Sequence, residues 1–473
     1  MAELLTPDIC VIGAGSGGLS VAAAAAAFGV PVVLIEKGRM GGECLNAGCV
    51  PSKALIAAAK RAQQMRDADA FGVSAQRVTV DFGLVHDHIQ AVIAAIAPND
   101  SKERFTGLGV RVIEGEGRFS DANTVTVGDI EIKARRFVIA AGSSPALPAI
   151  EGLDDTPHFT NETIFDLRVC PKHLIVIGAG PVGLELAQAF RRLGADVTVL
   201  EVLEPLAQED PECASIVLDQ LARDGVVLRR GVSIAHVHRA RTKVLVVLRD
   251  GDTEETIEGS HLLIATGRRA NVAGLGLDKA GIRYDMRGIT VDKGLKTSNS
   301  RVYAIGDIAG GPQFTHVANY HAGLVIRNAL FRLPVKVRDE IVPRVTFTDP
   351  ELAHVGLMET QAGKRRDIRI ARWPYHDNDR AQTERVTLGH IKVVMDTKGT
   401  VLGVTIVGTQ AGELITLWAL AIGQRLNIRT MTDIVMPYPV LSEIGKRAAI
   451  SHFARRLTSP WVHRIIVLLR RLG

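Results

Sequence analysis

Aromatic residues are scarce in this sequence: phenylalanine, tryptophan and tyrosine together make up 4% of its 473 residues. Any core must therefore be filled mainly by Val, Ile, Leu and Ala. Cysteine is scarcer still, with five residues, an odd number. That excludes a secreted disulfide scaffold and points to a reducing compartment with one or two working thiols. No run reaches the roughly 18 apolar residues that a membrane-spanning helix needs, because Arg, Lys, Asp or Glu interrupts each candidate. Ahead of the first apolar strand there is no basic stretch and no small-residue cleavage site, so no signal peptide is expected. These absences together predict a soluble, cytoplasmic protein. What is present is ordinary for a globular chain: 47% hydrophobic residues, 46 glycines and 19 prolines. The length suggests two to four domains.

The net charge of +5 is unevenly spread. Ile444 to Gly473 carries seven basic residues and no acidic one, so the remainder of the chain is slightly acidic.

Residues 8 to 36 read as strand, glycine-rich turn, helix and strand. Gly13, Gly15 and Gly18 match G-x-G-x-x-G between Ile9–Ile12 and the apolar run from Leu19 to Phe28. The three glycines allow a tight turn, approach of the backbone to a pyrophosphate, and close packing of helix on strand. The helix N-terminus offers free N–H groups to phosphate. Glu36, at the end of the second strand, is placed to accept from ribose hydroxyls.

The pattern recurs at 174 to 201, with Gly178, Gly180 and Gly183 in the turn and Glu201 at the end of the next strand. Two such units predict two nucleotide sites, which suggests a flavin and a nicotinamide on one chain. Val202 and Leu203, rather than arginines, follow Glu201. A carboxylate there accepts from a 2′-hydroxyl and repels a 2′-phosphate, which favours NADH over NADPH.

Three short signatures close apolar strands with a conformationally permissive residue: Ala140-Ala141-Gly142-Ser143, Ala265-Thr266-Gly267-Arg268 and Ala304-Ile305-Gly306-Asp307. An acid such as Asp307 at a strand's carboxyl end is placed to hold a ribityl hydroxyl. From about Pro343 the texture changes to an α+β segment without a nucleotide motif. Strands are expected at 344–347, 390–395 and 402–407, and helices at 413–426 and 430–435.

Between the first nucleotide unit and the rest lies Gly41-Gly42-Glu43-Cys44-Leu45-Asn46-Ala47-Gly48-Cys49-Val50-Pro51-Ser52-Lys53. Taken alone, Cys44 and Cys49 read as coincidence, half a metal site, a structural disulfide or a redox pair. The two nucleotide units supply the electron source that a redox pair needs.

This stretch resembles the active-site signature of the FAD-dependent pyridine nucleotide-disulfide oxidoreductases, a family that includes dihydrolipoamide dehydrogenase, glutathione reductase and mercuric reductase. Both dinucleotide fingerprints, Thr266-Gly267-Arg268-Arg269, Ala304-Ile305-Gly306-Asp307 and Thr348-Asp349-Pro350-Glu351 extend the resemblance along the chain. It implies an α/β architecture of two Rossmann-like domains with a C-terminal α+β dimerisation domain. Residues 1–150 would begin the FAD domain, 151–272 form the NAD domain, 273–342 complete the FAD domain, and 343–473 form the dimerisation domain with a basic tail. It implies a homodimer that transfers electrons between NAD(P)H and a small dithiol or disulfide substrate through FAD. Cys49 would be the charge-transfer thiolate at the flavin and Cys44 the outward-facing interchange thiol. Lys53 and Glu185 match a pair that meets beside the flavin, Asp307 maps to the ribityl chain and Glu36 to the FAD adenosine ribose. The residue-level alternative for Lys53 and Glu185 is an ordinary ion pair.

Two departures qualify the resemblance. Where family members acting on thiols carry His-Pro-Thr-x-x-Glu, this chain has Tyr438-Pro439-Val440-Leu441-Ser442-Glu443. Glu443 is kept and the base is replaced. Reference pKa values of about 6.5 for His and about 10 for Tyr disfavour a tyrosinate base by near 5 kcal/mol. Oxidation of a dithiol should therefore be slow, and reduction of a metal ion less affected. Mercuric reductase also has Tyr at this position, although it usually adds a C-terminal cysteine pair that is not found before Gly473. The second departure is Glu43 in place of the usual Thr, a carboxylate that is unfavourable near FAD phosphates unless it points away.

Among the remaining features, Cys10, Cys170 and Cys213 show no partner spacing and read as structural. His86, His88 and the run from His376 to Asp379 read as solvated polar turns, and no metal site is expected. The segment from Ser459 to Gly473 places Trp461, Val462, Ile465, Ile466, Leu468 and Leu469 among Arg464, Arg470 and Arg471. It reads either as a basic amphipathic helix for peripheral contact with an anionic membrane, or as a helix packed on the dimer with a solvated basic face. The membrane version would suit an electron-transfer flavoprotein delivering to a quinone. No nucleic-acid recognition module is present.

Overall fold

The computed structural model describes residues 3–74, 77–363, 365–457 and 460–471. The chain divides into two compact units. One gathers Met1–Leu203 and Leu228–Val337, and the other Glu204–Val227 and Arg338–Gly473.

The first unit contains both glycine-rich fingerprints. Its larger sheet is five-stranded and parallel, in the order Val302–Ala304, Arg136–Ile139, Ile9–Ile12, Val32–Glu36, Arg111–Glu114. The central strand Ile9–Ile12 is an unbroken run of Ile, Cys and Val that is buried throughout, as a strand covered on both faces must be. The helix Ser16–Ala27 follows the first strand and packs against the helix Thr315–Phe331. A Cβ on Gly17 would lie 3.2 Å from the Ala318 Cβ, so small residues set this close helix contact.

A second sheet takes the order Val227–Arg230, Asp196–Glu201, His173–Ile177, His261–Ile264. Its strand His173–Ile177 pairs in parallel with both of its neighbours. The helix Pro181–Leu193 connects its two central strands, and an antiparallel meander spans Ser233–Gly259. Ser143–Pro145 and Arg268–Ala270 pair antiparallel. These short strands lie where the chain enters and leaves the second nucleotide-binding segment.

The second unit is built on an antiparallel sheet ordered Arg344–Thr346, Glu351–Gly356, Val401–Gly408, His390–Asp396, Ile368–Pro374. Its helices Ala411–Gly423 and Glu443–Leu457 contribute Trp418, Ile415, Ile444 and Ala448 to one core with Tyr375 and Ile406. The helix Pro211–Arg223, capped by Asp210, joins this unit through buried charge. Lys392 Nζ lies 2.8 Å from Asp210 Oδ2, 2.7 Å from Glu212 Oε2 and 3.0 Å from Glu359 Oε2. Lys392 and Asp210 are both almost wholly buried, so loss of Lys392 would leave the Asp210 carboxylate uncompensated, whereas Lys392 without Asp210 would keep Glu212 and Glu359. Thus residues 204–227 fall within the 151–272 span in sequence but pack with the C-terminal unit.

Candidate active site

The two glycine-rich turns repeat one geometry. Gly13 and Gly178 adopt φ of +104° and +109°, where a Cβ would meet a backbone carbonyl oxygen at 2.4 and 2.5 Å. Cβ atoms on Gly18 and Gly183 would sit 1.9 and 2.0 Å from the oxygens of Gly13 and Gly178. Gly15 and Gly180, by contrast, face open space. The backbone is therefore closed where helix meets strand and open where a phosphate approaches.

In each unit the acid at the end of the next strand closes the loop. Glu36 Oε2 accepts from the Ala14 N–H at 2.6 Å, and Glu201 Oε2 from the Ala179 N–H at 2.7 Å. Each carboxylate also accepts a second backbone N–H, from Gly38 and Leu203 respectively, and retains lone pairs for further donors.

The cysteine stretch is laid onto the first of these turns. Gly41 N–H donates to the Ala14 carbonyl at 3.0 Å. A Cβ on Gly42 would come within 2.7 Å of the Gly15 Cα. The short helix Gly42–Asn46 carries Cys44, and Cys49 is the first residue of the helix Cys49–Arg66. Both cysteines are free thiols; Cys49 is exposed and Cys44 half-buried in the single chain.

Their acidities are split. A hydrogen bond from Cys44, one from Thr315 and the charge of Lys53 draw Cys49 down to about 5, against burial and the Glu185 carboxylate. Thr315 Oγ1 lies 3.5 Å from Cys49 Sγ. A helix N-terminus favours the thiolate in the same sense. Cys44 is raised, first by serving as donor to Cys49 and then by burial. The first proton therefore leaves the pair from Cys49, while Cys44 keeps its own.

Lys53 and Glu185, 132 residues apart, meet with Nζ to Oε2 at 2.8 Å. Glu185 is buried on the helix Pro181–Leu193 of the second nucleotide unit, so the pair joins the cysteine helix to that unit.

Glu43 points away from the open Gly15 face and into a polar network. Arg268 grips its carboxylate with both terminal nitrogens, Nη1 to Oε1 at 2.6 Å and Nη2 to Oε2. Asn161 Nδ2 donates to the same carboxylate at 2.5 Å and to the Ala47 carbonyl at 3.1 Å. Burial pushes the Glu43 carboxyl up, and Arg268 pulls it back toward the ionised form. Arg268 Nε also donates to Ser143 Oγ at 2.8 Å, and that hydroxyl donates to Asp307 Oδ2 at 2.5 Å. A continuous polar path thus runs from the neighbour of Cys44 to Asp307, past Gly142, Gly267 and Gly306, the three glycines of the strand-ending signatures. Sequence reasoning named Gly267 and Asp307 as binding residues, quoted Arg268 and Ser143 only as parts of signatures, and did not name Asn161 or Thr315. The available signal was Glu43 itself, a carboxylate that required a cation.

In the other unit, Tyr438 is exposed, and its hydroxyl donates to Asp379 Oδ2 at 2.7 Å. Asp379 is the main reason that the Tyr438 pKa is raised; Glu443 adds a smaller push. Glu443 begins the helix Glu443–Leu457 and is itself paired with Arg447 at 2.9 Å. Asp379 was missed as a partner because nothing in its polar turn distinguishes it.

The family model for the pyridine nucleotide-disulphide oxidoreductases matches residues 7–322, and the model for their dimerisation domain matches 342–449. A mercuric reductase from Lysinibacillus sphaericus is 35% identical over 448 residues, covering 94% of this chain and 82% of that protein. A dihydrolipoyl dehydrogenase from Geobacillus stearothermophilus is 35% identical over 456 residues, covering 93% and 95%. A Cu(II) complex of RclA, an HOCl-induced flavoprotein disulfide reductase from Escherichia coli, superposes with a TM-score of 0.83 at 26% identity, covering 93% and 98%. The chain belongs to the pyridine nucleotide-disulphide oxidoreductase family.

It is a flavoprotein oxidoreductase with FAD and pyridine nucleotide as cofactors, and it carries the family's dimerisation domain. The residues present fit both groups. Two loops closed at Gly13 and Gly178 but open at Gly15 and Gly180 leave backbone accessible to two pyrophosphates. Among the described residues no cluster of three His, Cys, Asp or Glu has the arrangement of a metal site, and no helix is long and apolar enough to cross a membrane.

Proposed function

We propose that this oxidoreductase works in the reductive direction, drawing electrons from NADH and delivering them through Cys44 and Cys49 to a small disulfide. The observation that carries this reading is geometric: the stretch that bears Cys44 and Cys49 is laid onto the first glycine-rich turn, and Lys53 on the Cys49 helix pairs with Glu185. FAD, when bound, supplies the centre that takes hydride from the nicotinamide and reduces a disulfide. Gly13, Gly15, Gly18, Glu36, Gly142, Gly306 and Asp307 would hold it, with Lys53 beside its ring. Gly178, Gly180, Gly183, Glu201 and Gly267 would hold the nucleotide. Glu201, followed by Val202 and Leu203 rather than by arginines, supports NADH over NADPH.

The balance is two electrons and two protons. With both thiols reduced, the Cys44 sulfur attacks one sulfur of the substrate disulfide and expels the first thiolate. Cys49, already a thiolate, then attacks Cys44 of the mixed disulfide and expels the second. Cys44–Cys49 closes as a disulfide, and the two departing thiolates take the proton from Cys44 and one from solvent. Cys49 needs no base. Cys44 does, and in thiol-acting family members the base is the histidine whose place Tyr438 takes. With its own proton held on Asp379, Tyr438 accepts no proton.

That observation favours a second reading for the acceptor, a soft, thiophilic metal cation. Coordination to such a cation itself displaces the Cys44 proton, so no base is required. The similarity to a mercuric reductase and to RclA solved with Cu(II) supports this reading. Under either reading the working form is a homodimer.

The test is anaerobic titration with NADH, then a panel of lipoamide, glutathione disulfide, Hg²⁺ and a quinone. A long-wavelength absorbance band should appear at two electrons and vanish in Cys49→Ser. Cys44→Ser should retain NADH-driven reduction of the bound flavin and lose turnover by about 10³-fold or more, the scale of removing a nucleophile. Turnover that survives in Cys44→Ser would instead mean direct transfer from flavin to a quinone.

A further inference from the structure

Pro460–Leu469 forms a ten-residue helix that begins beyond residue 449, where the match to the dimerisation domain ends. At about 100° per residue, Leu468, Trp461, Ile465, Leu469, Val462 and Ile466 fill one continuous arc of roughly 160°. Arg464, and Arg470 and Arg471 just past the helix, fall on the opposite side. In a soluble protein such an apolar arc is normally covered, yet no residue of this helix is buried. Val462 and Ile465, midway across the arc, are half-buried, while Trp461 is 69% exposed, Leu468 59% and Leu469 57%. Ser459, Leu472 and Gly473, which the sequence reading also assigns to this segment, lie outside the described residues.

We propose that this helix lies in the surface of an anionic lipid bilayer, with Trp461, Leu468 and Leu469 among the acyl chains and the arginines on headgroup phosphates. Three observations select that occupant. Apart from Val467, which falls among the arginines, apolar and basic residues occupy separate arcs, as in helices that lie in the plane of an interface, and an indole ring stands at the edge of the apolar arc. Ile444 to Gly473 holds seven basic residues and no acid, which matches an anionic surface. It opposes two-fold pairing of this helix with its copy, because that pairing would bring like charges together. Ten residues are too few to span a bilayer, so the contact is peripheral.

The test uses the FAD-loaded full chain, sedimented with vesicles of phosphatidylcholine alone or containing about one third phosphatidylglycerol. The expected result is binding at least tenfold tighter to the anionic vesicles, weakened by high salt in the manner of a screened charge contact. Trp461→Ser with Leu468→Ser should lower that binding at least tenfold, as should Arg464→Gln with Arg470→Gln and Arg471→Gln. NADH-driven flavin reduction, unchanged in both variants, confirms that each is folded. No sedimentation with anionic vesicles, equal sedimentation with both compositions, or variants that bind as the parent does would each overturn the proposal. So would a shift of the apolar variant from dimer to monomer without any vesicle binding in the parent chain, which would assign the helix to a second copy.

Discussion

Around Gly13 and again around Gly178 the chain makes the same turn, closed by the same contacts and capped by a glutamate at the same distance in sequence. The surroundings of the two turns differ. Against the first, Gly41 and Gly42 press the cysteine stretch directly onto the loop. The second bears no thiol and instead contributes Glu185, one turn into its helix, to Lys53. On the proposed reading, the same glycine-rich turn becomes a redox centre or a nucleotide dock according to what is packed beside it. Fold-level likeness between the two halves says nothing of this division of labour.

Introducing one methyl into each cradle should separate the two roles. In Gly18→Ala the new Cβ would collide with the Gly13 oxygen at 1.9 Å, and in Gly183→Ala with the Gly178 oxygen at 2.0 Å. Overpacking of this kind costs about 1–3 kcal/mol, or about 10- to 100-fold in binding. Gly18→Ala should emerge from gel filtration with a lowered ratio of flavin to protein absorbance. Gly183→Ala should keep its flavin and show a raised KM for NADH. Equal flavin loss in both variants would show that the two cradles are not specialised as argued.

Tyr438→His addresses what the thiol-bearing cradle lacks. A general base contributes about 10²- to 10⁴-fold where it is well placed. Here Glu443, the acid kept from that motif, is occupied by Arg447, so a gain of only about tenfold in dihydrolipoamide oxidation is expected. Metal-ion reduction should not rise with it. A parallel rise in both would remove the argument that Tyr438 discriminates between acceptors.

Glu43→Thr restores the residue usual in the family and takes the bidentate carboxylate from Arg268, whose side chain is 19% exposed, leaving it Ser143 and, at 3.8 Å, Asp307. Removing one partner of a partly buried bidentate pair should cost about 1–3 kcal/mol in a denaturant melt, below the 3–5 kcal/mol of fully buried pairs. Glu43→Gln keeps one acceptor and should cost less. If Glu43→Thr melts like the parent, the pair is a surface contact without structural consequence.

These cases also show what a sequence discloses. Both cradles were legible because their glycines and closing glutamates lie within about 25 residues at fixed offsets among apolar runs, although Gly13 and Gly178 also close against the distant carbonyls of Ala140 and Ala265. The antiparallel unit was legible in outline, with strands near 390–395 and 402–407 found close to their true bounds. Two of its strands went unread. Glu351–Gly356 buries His354 at its centre, and Ile368–Pro374 alternates apolar residues with Arg369 and Arg372, so neither gives a clean apolar run. Links between distant segments were not legible from local pattern, and the Lys53–Glu185 pair was expected through the family resemblance instead. Glu43 reaches Arg268 across 225 positions, Tyr438 reaches Asp379 across 59, and Asp210 holds Lys392 across 182. Each is decided by tertiary packing, which local propensity does not encode.

The smallest expected effect is the most direct reading of the difference between the cradles, because it follows a proton. Cys49 is drawn down to about 5 from the ordinary range of a thiol. In the reduced enzyme it is therefore a thiolate at every pH above about 5 and becomes a thiol as pH falls through that value. Cys44 stays protonated across the same range, so alkylation by iodoacetamide below pH 8 should report Cys49 alone. Its rate should rise with a midpoint near 5 and then stay flat through neutrality. Cys44→Ala removes the strongest donor to the thiolate and should move the midpoint up. Lys53→Met, which removes a contribution ranked behind the hydrogen bonds, should move it up by less. A parent midpoint in the range of a free cysteine, or a larger shift from Lys53→Met than from Cys44→Ala, would mean that the partner thiol does not set the charge on Cys49. The electron path would then need a different activating group beside the first cradle.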